Sequence, residues 1–269
     1  MVKKLFKHEF MYYFKTLIIF LPILLIGGVC GRIVLSFITV DRPEVAILIG
    51  GTFMMLYFAT MAVLILMMVL AIVRFYKNLF GAEGYLTLTL PVSVNKHVFV
   101  KLITVILWEV IILTVICLSW GIVFTGVPEI FAELSAALKP FMTSQALLKL
   151  LPFGIEILVL YPLSSASGLL IYYSCMCIGQ LAKKHRILLS VGVYFGYYLL
   201  LEIFVTISSI AVTTTLLAMI DKIDFVFIAE NIITILHVFM ISSIVLTFLF
   251  DFLLFKFVTF IVDKKLNLE

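Results

Sequence analysis

The sequence predicts an all-α, polytopic membrane protein with six transmembrane helices, and three observations support this fold class. Hydrophobic residues make up 64% of the 269 residues and charged residues only 13%. The mean hydropathy of +1.28 is too high for the core of a water-soluble protein of this length. The apolar runs are long and do not alternate with a period of two. Because backbone polar groups in lipid must be bonded internally, these runs favour helices over a β-barrel.

Six apolar runs each reach the roughly 20 residues needed to cross a hydrocarbon core of about 30 Å. They are Thr16–Val40, Val45–Val73, Leu102–Phe124, Glu156–Ala182, Ile187–Ile220 and Ile232–Phe255. The second would be about 43 Å long as a helix, so we expect it to tilt or to extend beyond the bilayer. The fifth is longer still, and its outer part could be re-entrant or interfacial. We interpret residues 1–269 as a single transmembrane domain.

The distribution of basic residues predicts the orientation. They gather before the first span, between spans two and three, between spans four and five, and after the sixth: Lys3, Lys4, Lys7, Lys15, Arg74, Lys77, Lys96, Lys101, Lys183, Lys184, Arg186, Lys256, Lys264 and Lys265. The alternate loops carry mainly acidic residues. Both termini are therefore predicted to be cytoplasmic, in a multi-pass protein of a cell membrane that we expect to be a bacterial plasma membrane. The pI near 8.8 then reflects this bias and not nucleic-acid binding.

Residues 1–15 predict an N-terminal interfacial amphipathic helix. Aromatic and aliphatic side chains fall along one side and lysines near the other: Leu5, Phe6, Phe10, Tyr13 and Phe14 against Lys3, Lys4, Lys7 and Lys15. Such a helix suits anionic lipid of the inner leaflet. The alternative is a simple basic end that only sets the topology.

Residues 74–101 form the longest predicted cytoplasmic loop. Gly81 and Gly84 interrupt the helix that continues from span two, and Pro91 ends the element. Ser93 or Asn95 can cap the next helix. Between the glycines and the proline lie apolar side chains with no lipid to bury them: Tyr85, Leu86, Leu88 and Leu90. This pattern predicts a short, kinked element near the cytoplasmic face that either docks on a partner protein or packs on the chain's own inner surface.

The string from Gly81 to Ser93, GAEGYLTLTLPVS, with Lys101 at the start of the following span, closely resembles the G-x-E-G-Y-L-T-x-T-L-P-V-S segment of type-2 ABC exporter permeases. Residues 5–10, LFKHEF, are similar to the opening L-x-K-x-E-L of that family. The resemblance implies that residues 74–101 contain a cytoplasmic coupling helix that docks on a separate ATP-binding subunit. It also implies that the contact is carried by Gly81, Glu83, Gly84, Tyr85, Leu86 and Leu90. Ala82 and Val94 depart from the commonest form, in which an acid and an arginine are frequent.

No phosphate-binding G-x-x-x-x-G-K-[ST] loop occurs in the chain, and neither H-E-x-x-H nor G-x-S-x-G is present. We therefore expect no enzymatic activity and no cofactor in this chain, with ATP and Mg bound by the partner. The expected partners are ABC ATPase subunits, a second permease copy or a paralogous permease, and the lipid bilayer, but no nucleic acid. The four cysteines all fall inside spans, where buried apolar packing is expected over disulfides or metal.

Acidic residues within apolar spans are candidates for function, because an ionised group near the bilayer centre costs about 2.5–3.5 kcal/mol on insertion scales. Glu109 and Glu202 are the candidate translocation path. The alternative is that they pair with Arg or Tyr side chains, or are protonated, at helix contacts. Asp251 could pair with Lys256 near the inner end of the last span. Two small-x-x-x-small pairs, Gly27/Gly31 and Gly192/Gly196, predict close helix packing.

Together these features predict the membrane subunit of an ATP-driven exporter for an amphipathic or hydrophobic substrate, such as an antimicrobial or other membrane-active peptide. Residues 125–151 are expected to form an outer-surface segment with short amphipathic helices. Two alternatives stay open at this point. One is a proton- or Na⁺-coupled secondary transporter that uses the intramembrane acids, and the other is a non-transporting membrane sensor coupled to an ATPase.

Overall fold

The computed structural model describes residues 2–36, 43–81, 83–84, 92–126, 132–133, 135–137, 139, 144–182, 184–219 and 225–264. Within these ranges the chain forms six long helices and no strand. The helices are α1 (Val2–Ser36), α2 (Pro43–Leu79), α3 (Val94–Phe124), α4 (Ser144–Gln180), α5 (Arg186–Met219) and α6 (Phe225–Lys264). Each contains a stretch that is long and apolar enough to cross a membrane. The predicted all-α, multi-pass membrane protein is therefore confirmed at this level.

The helices begin and end differently from the predicted spans. α1 runs without interruption from Val2 through Thr16 to Ser36, so the N-terminal segment and the first span are one helix. At the start of α3, Ser93 occupies the predicted N-cap position with extended backbone (φ −63°, ψ 147°), but its side chain makes no capping hydrogen bond. Hydropathy locates the apolar middle of a helix, whereas the helix itself continues into the polar region beyond it.

The chain divides into two compact units, Met1–Pro152 and Phe153–Glu269. In the first unit, α1 and α3 approach closely at Gly28, where an added Cβ would lie 2.6 Å from the hydroxyl oxygen of Ser119. That hydroxyl donates a hydrogen bond to the carbonyl oxygen of Leu24 at 2.7 Å. Gly31 is similarly tight, with Thr52 and Val123 at 3.1 and 3.2 Å from its Cβ position. The small-residue contact was thus predicted on the correct helix, but its tightest point is Gly28 and not Gly27.

The buried side of α1 is a single stripe with helical spacing: Glu9, Tyr13, Leu17, Leu24, Gly28, Gly31 and Leu35. Leu35 belongs to a hydrophobic cluster with Leu56 and Val123, against which Phe53 and Trp120 pack. The opposite end of the same stripe is an acid, Glu9. An ionisable group in a buried stripe requires partners, and these form the candidate site.

In the second unit, α4 and α5 form a hairpin. Ser190 lies against Gly179, where any side chain would overlap the Ser190 hydroxyl. His185 has a left-handed backbone conformation (φ 55°) just before α5 begins. Gly192 and Gly196 have no described atom within 4 Å of their Cβ positions, so the packing predicted for this pair does not occur among the described residues.

The four cysteines are free thiols. Cys175 and Cys177 are buried, as expected, but the expectation of burial is wrong for Cys30 and Cys117, which are exposed. They lie on helix faces that the first unit leaves uncovered. Among the described residues no group of three or more His, Cys, Asp or Glu side chains could hold a metal ion.

Candidate functional site

The candidate site is a buried ion cluster where the start of α1, the end of α2 and the start of α3 meet. Glu9 on α1 is only 1% exposed. Its Oε1 accepts a hydrogen bond from Lys101 Nζ of α3 at 2.8 Å, and its Oε2 accepts one from Arg74 Nε of α2 at 3.0 Å. Arg74 Nη2 also donates to Oε1 at 3.4 Å. One carboxylate therefore joins three helices.

Burying such ions is costly, since removal from water costs several kcal/mol per ion unless pairing and hydrogen bonds offset it. The single negative charge of Glu9 cannot neutralise the two positive charges of Arg74 and Lys101. A second acid, Glu83, lies 3.5 Å from Arg74 Nη1. The ring of Tyr12 lies under the guanidinium, 4.3 Å from its centre, in a cation–π contact. Arg74 thus uses its fork-shaped group to bind both acids at once, a role for which lysine lacks the geometry.

Glu83 belongs to the segment that resembles a coupling helix. Side chains near the end of α2 bind its carboxylate. Its Oε2 accepts a hydrogen bond from Asn78 Nδ2 at 3.2 Å in addition to the Arg74 contact. The Glu83 side chain is nevertheless 59% exposed. It therefore lies at the boundary between the buried cluster and the surroundings.

The two glycines of this segment allow the chain to fold back on α2. The amide of Gly81 donates to the carbonyl oxygen of Tyr76 at 3.2 Å, and the amide of Gly84 donates to that of Gly81 at 2.8 Å. An added Cβ at Gly81 would lie 2.7 Å from the carbonyl oxygen of Lys77, and at Gly84 it would collide with that of Leu79. A side chain at either position would displace the segment from α2, because backbone cannot yield as a flexible side chain can.

The structure therefore brings together three of the predicted coupling residues, Gly81, Glu83 and Gly84. Tyr85, Leu86 and Leu90 lie outside the described residues.

Sequence reasoning did not assign Glu9, Arg74 and Lys101 to one site. Glu9 is the sole acid among the first 40 residues, and it continues the buried stripe of α1. Combined with helical spacing, this is the signal that could have identified it. The start of α1 is further fixed by Trp108, whose indole Nε1 donates to the carbonyl oxygen of Phe10 at 3.3 Å and whose ring lies 4.8 Å from the Phe10 ring.

His97 lies one turn before Lys101 on α3 and is only 1% exposed. Neither of its ring nitrogens has a hydrogen-bond partner among the described residues. Its buried ring therefore extends the polar region of the cluster along α3.

The two acids predicted for a translocation path are in different units. Glu109 is half-buried on α3 and interacts with a neighbouring group. Glu202 is exposed on α5 and has no hydrogen bond or ion pair within the described part of the chain. Nothing in the geometry of either unit joins them into one site.

Polar contacts also join α4 to α6 in the described part of the second unit. Glu156 Oε1 lies 2.8 Å from His237 Nδ1, and the Phe153 ring stacks on the imidazole with centroids 3.9 Å apart. The Ser167 hydroxyl donates to Asp251 Oδ1 at 2.5 Å. The expected pairing of Asp251 with Lys256 is not found, since the Lys256 ammonium lies over the Phe252 ring instead.

Comparisons of the chain with protein-family models, with curated proteins and with solved structures found no match. The proposed function therefore rests on the geometry of the buried ion cluster and on the sequence of the segment attached to it.

Proposed function

We propose that the chain is the membrane-spanning permease subunit of an ATP-driven exporter of the type-2 ABC class. The observation that carries the proposal is the contact of Glu83 with Arg74, which in turn binds Glu9. Glu83 lies in the segment that resembles the docking element of these permeases. A partner that moves this segment would therefore act directly on an ion cluster shared by α1, α2 and α3.

In this proposal the segment around residues 81–93 is the coupling helix, and a separate ATPase subunit binds ATP and Mg. Closure of the ATPase dimer displaces the coupling segments and reorients the spans, so that the substrate site opens alternately to the two sides. Both termini are cytoplasmic. Residues 1–15 lie at the inner membrane surface, where the exposed lysines meet anionic lipid while Glu9 faces the cluster.

Because six spans rarely enclose a path alone in permeases of this class, we propose that a second copy or a paralogous permease completes the path. The exposed position of Glu202 on a long apolar helix supports this assignment. A carboxylate within an apolar membrane span is expected to face water or another protein and not hydrocarbon. The proposed substrate is amphipathic or hydrophobic, with a membrane-active peptide as the candidate class.

Purification from the native membrane tests the proposal. Wild-type protein is expected to co-purify with a P-loop ATPase and to support vanadate-sensitive ATP hydrolysis. Glu83→Lys adds a third cation to the cluster, next to Arg74. This variant is expected to insert normally but to lose both the co-purifying ATPase and the ATP hydrolysis. Glu133→Lys, at an exposed acid of the predicted outer segment, is the matched control and is expected to retain them. Preparations that contain no ATPase in any variant would contradict the proposal and favour ion-coupled transport.

A further inference from the structure

The hairpin between α4 and α5 has a pocket that the transport proposal does not use. We name it the turn pocket, and it has a volume of about 310 Å³. Its lining residues are Ala182, Lys184, His185, Leu188, Leu189 and Gly192. The pocket lies where two candidate membrane spans are joined by a short turn, which is where a membrane surface is expected.

The residues at the turn end of the pocket are basic, and no acidic side chain pairs with them among the described residues. Lys184 and His185 line it, and Arg186 follows directly, with its Nε donating to the carbonyl oxygen of Ala182 at 3.3 Å. None of these three side chains forms an ion pair with any described residue. The sequence contains no Asp or Glu from 181 to 201. An anion is therefore the complementary ligand group.

The remainder of the turn pocket is apolar and open. Leu188 is 70% exposed and Leu189 is 42% exposed. Gly192 has no described atom within 4 Å of its Cβ position, which leaves room beside the helix. A small soluble anion would leave this apolar surface unfilled. A ligand with an anionic head and a hydrocarbon chain matches both halves.

Contacts within the hairpin fix the position of the basic residues relative to the apolar part of the turn pocket. The close approach of Ser190 to Gly179 joins the helices, and the Ser190 hydroxyl donates to the carbonyl oxygen of Arg186 at 3.0 Å. The left-handed backbone of His185 turns the chain into α5, whose amide at Leu189 donates to the His185 carbonyl oxygen at 3.0 Å. The basic group is thus placed about one helical turn from the apolar groove, where a lipid phosphate adjoins its acyl chains.

We propose that the turn pocket is a binding site for an anionic glycerophospholipid. The phosphate lies between Lys184 and His185, and an acyl chain follows the groove over Leu188 and Leu189 past Gly192. Basic pockets beside transmembrane helices are known to bind anionic head groups. None of the residues that line this pocket belongs to the proposed ATPase contact.

Native mass spectrometry of the full chain in detergent tests this, with phosphatidylglycerol and phosphatidylcholine as probes. Phosphatidylglycerol is expected to form one-to-one adducts with at least roughly tenfold higher affinity than phosphatidylcholine. The double variant Lys184→Glu with His185→Glu is expected to remove this preference. Lys96→Glu changes an exposed lysine of the first unit and is expected to keep it.

A second variant keeps every charge and fills only the groove. Gly192→Phe adds a side chain where the structure has open space, so the helix should fold normally while adduct formation falls at least roughly tenfold. Equal binding of the two lipids would overturn the proposal, as would wild-type adducts in Gly192→Phe. Competition by water-soluble glycerol phosphate at the same concentration as the lipid would also overturn it, because it would show a simple anion site.

Discussion

Glu9 and Arg74 are 65 residues apart in the sequence, yet the Arg74 Nε lies 3.0 Å from the Glu9 carboxylate. The same carboxylate binds Lys101, and the same guanidinium reaches Glu83. Four charged groups from three helices and the following segment therefore form one connected network. Glu9 is the anion that Arg74 and Lys101 share, so its removal leaves both buried cations without that partner, whereas Arg74 stays paired with Glu9 when Glu83 is changed.

Replacing Glu9 by Gln is expected to destabilise the first unit by roughly 3–5 kcal/mol, because Arg74 and Lys101 would remain buried without their shared anion. Both tryptophans, Trp108 and Trp120, lie in this unit, so thermal unfolding followed by tryptophan fluorescence reports on it. Lys4→Gln, at an exposed position of the same helix, is the control and should unfold like the wild type. A Glu9→Gln protein as stable as that control would show that the cluster contributes little.

Exchanging the two charges tests the pairing of Glu9 with Lys101 directly. Glu9→Lys and Lys101→Glu should each be strongly destabilising, whereas the double variant again places opposite charges at a contact that is 2.8 Å in the wild type. The new ammonium at position 9 faces Arg74, so the double variant is expected to stay less stable than the wild type. We expect a favourable coupling energy of at least about 1 kcal/mol in a double-mutant cycle, measured by the same fluorescence assay. Strictly additive effects would mean that the two groups do not interact.

Two glycines give a matched comparison of helix contacts. Gly28→Ala places a methyl group 2.6 Å from the Ser119 hydroxyl oxygen and is expected to cost about 1–3 kcal/mol, because the α1 and α3 backbones must separate. Gly192→Ala meets nothing within 4 Å and should be neutral or slightly stabilising. Thermal stability in detergent, read by size-exclusion chromatography after heating, compares them. Equal losses in both variants would contradict the close approach at Gly28.

Glu202→Gln is expected to lower export several-fold without loss of assembly, because it removes the charge from an exposed carboxylate on α5 but preserves its shape. Transport into inverted vesicles and the yield of the complex are measured together. Glu133→Gln, at an exposed acid outside the long helices, is the control. Unchanged transport in Glu202→Gln would remove this residue from the proposed path.

The sequence was sufficient to predict six apolar helices, because hydropathy depends only on the local composition of each run. It did not predict that α1 is continuous through residue 16, since a helix ends where its backbone hydrogen bonds end and not where its side chains become polar.

The members of the ion cluster could not be grouped into one site from the sequence. Glu9 and Lys101 are 92 residues apart, and only the packing of α1 against α3 brings them together. The sequence-based assignment of Glu83 to a docking segment remains a prediction, but the attachment of Glu83 to α2 through Asn78 and Arg74 is a structural finding that the sequence pattern does not contain.

Site-specific photo-crosslinking in the native membrane tests the central claim most directly. A neutral photoreactive residue, which unlike lysine adds no cation beside Arg74, is incorporated at position 83, where the native side chain is 59% exposed, and at position 133 as the control. The account predicts a crosslinked product at position 83 that contains a P-loop ATPase, and no such product at position 133. Absence of the ATPase from the products at position 83, in vesicles that transport on a proton or Na⁺ gradient alone, would contradict it.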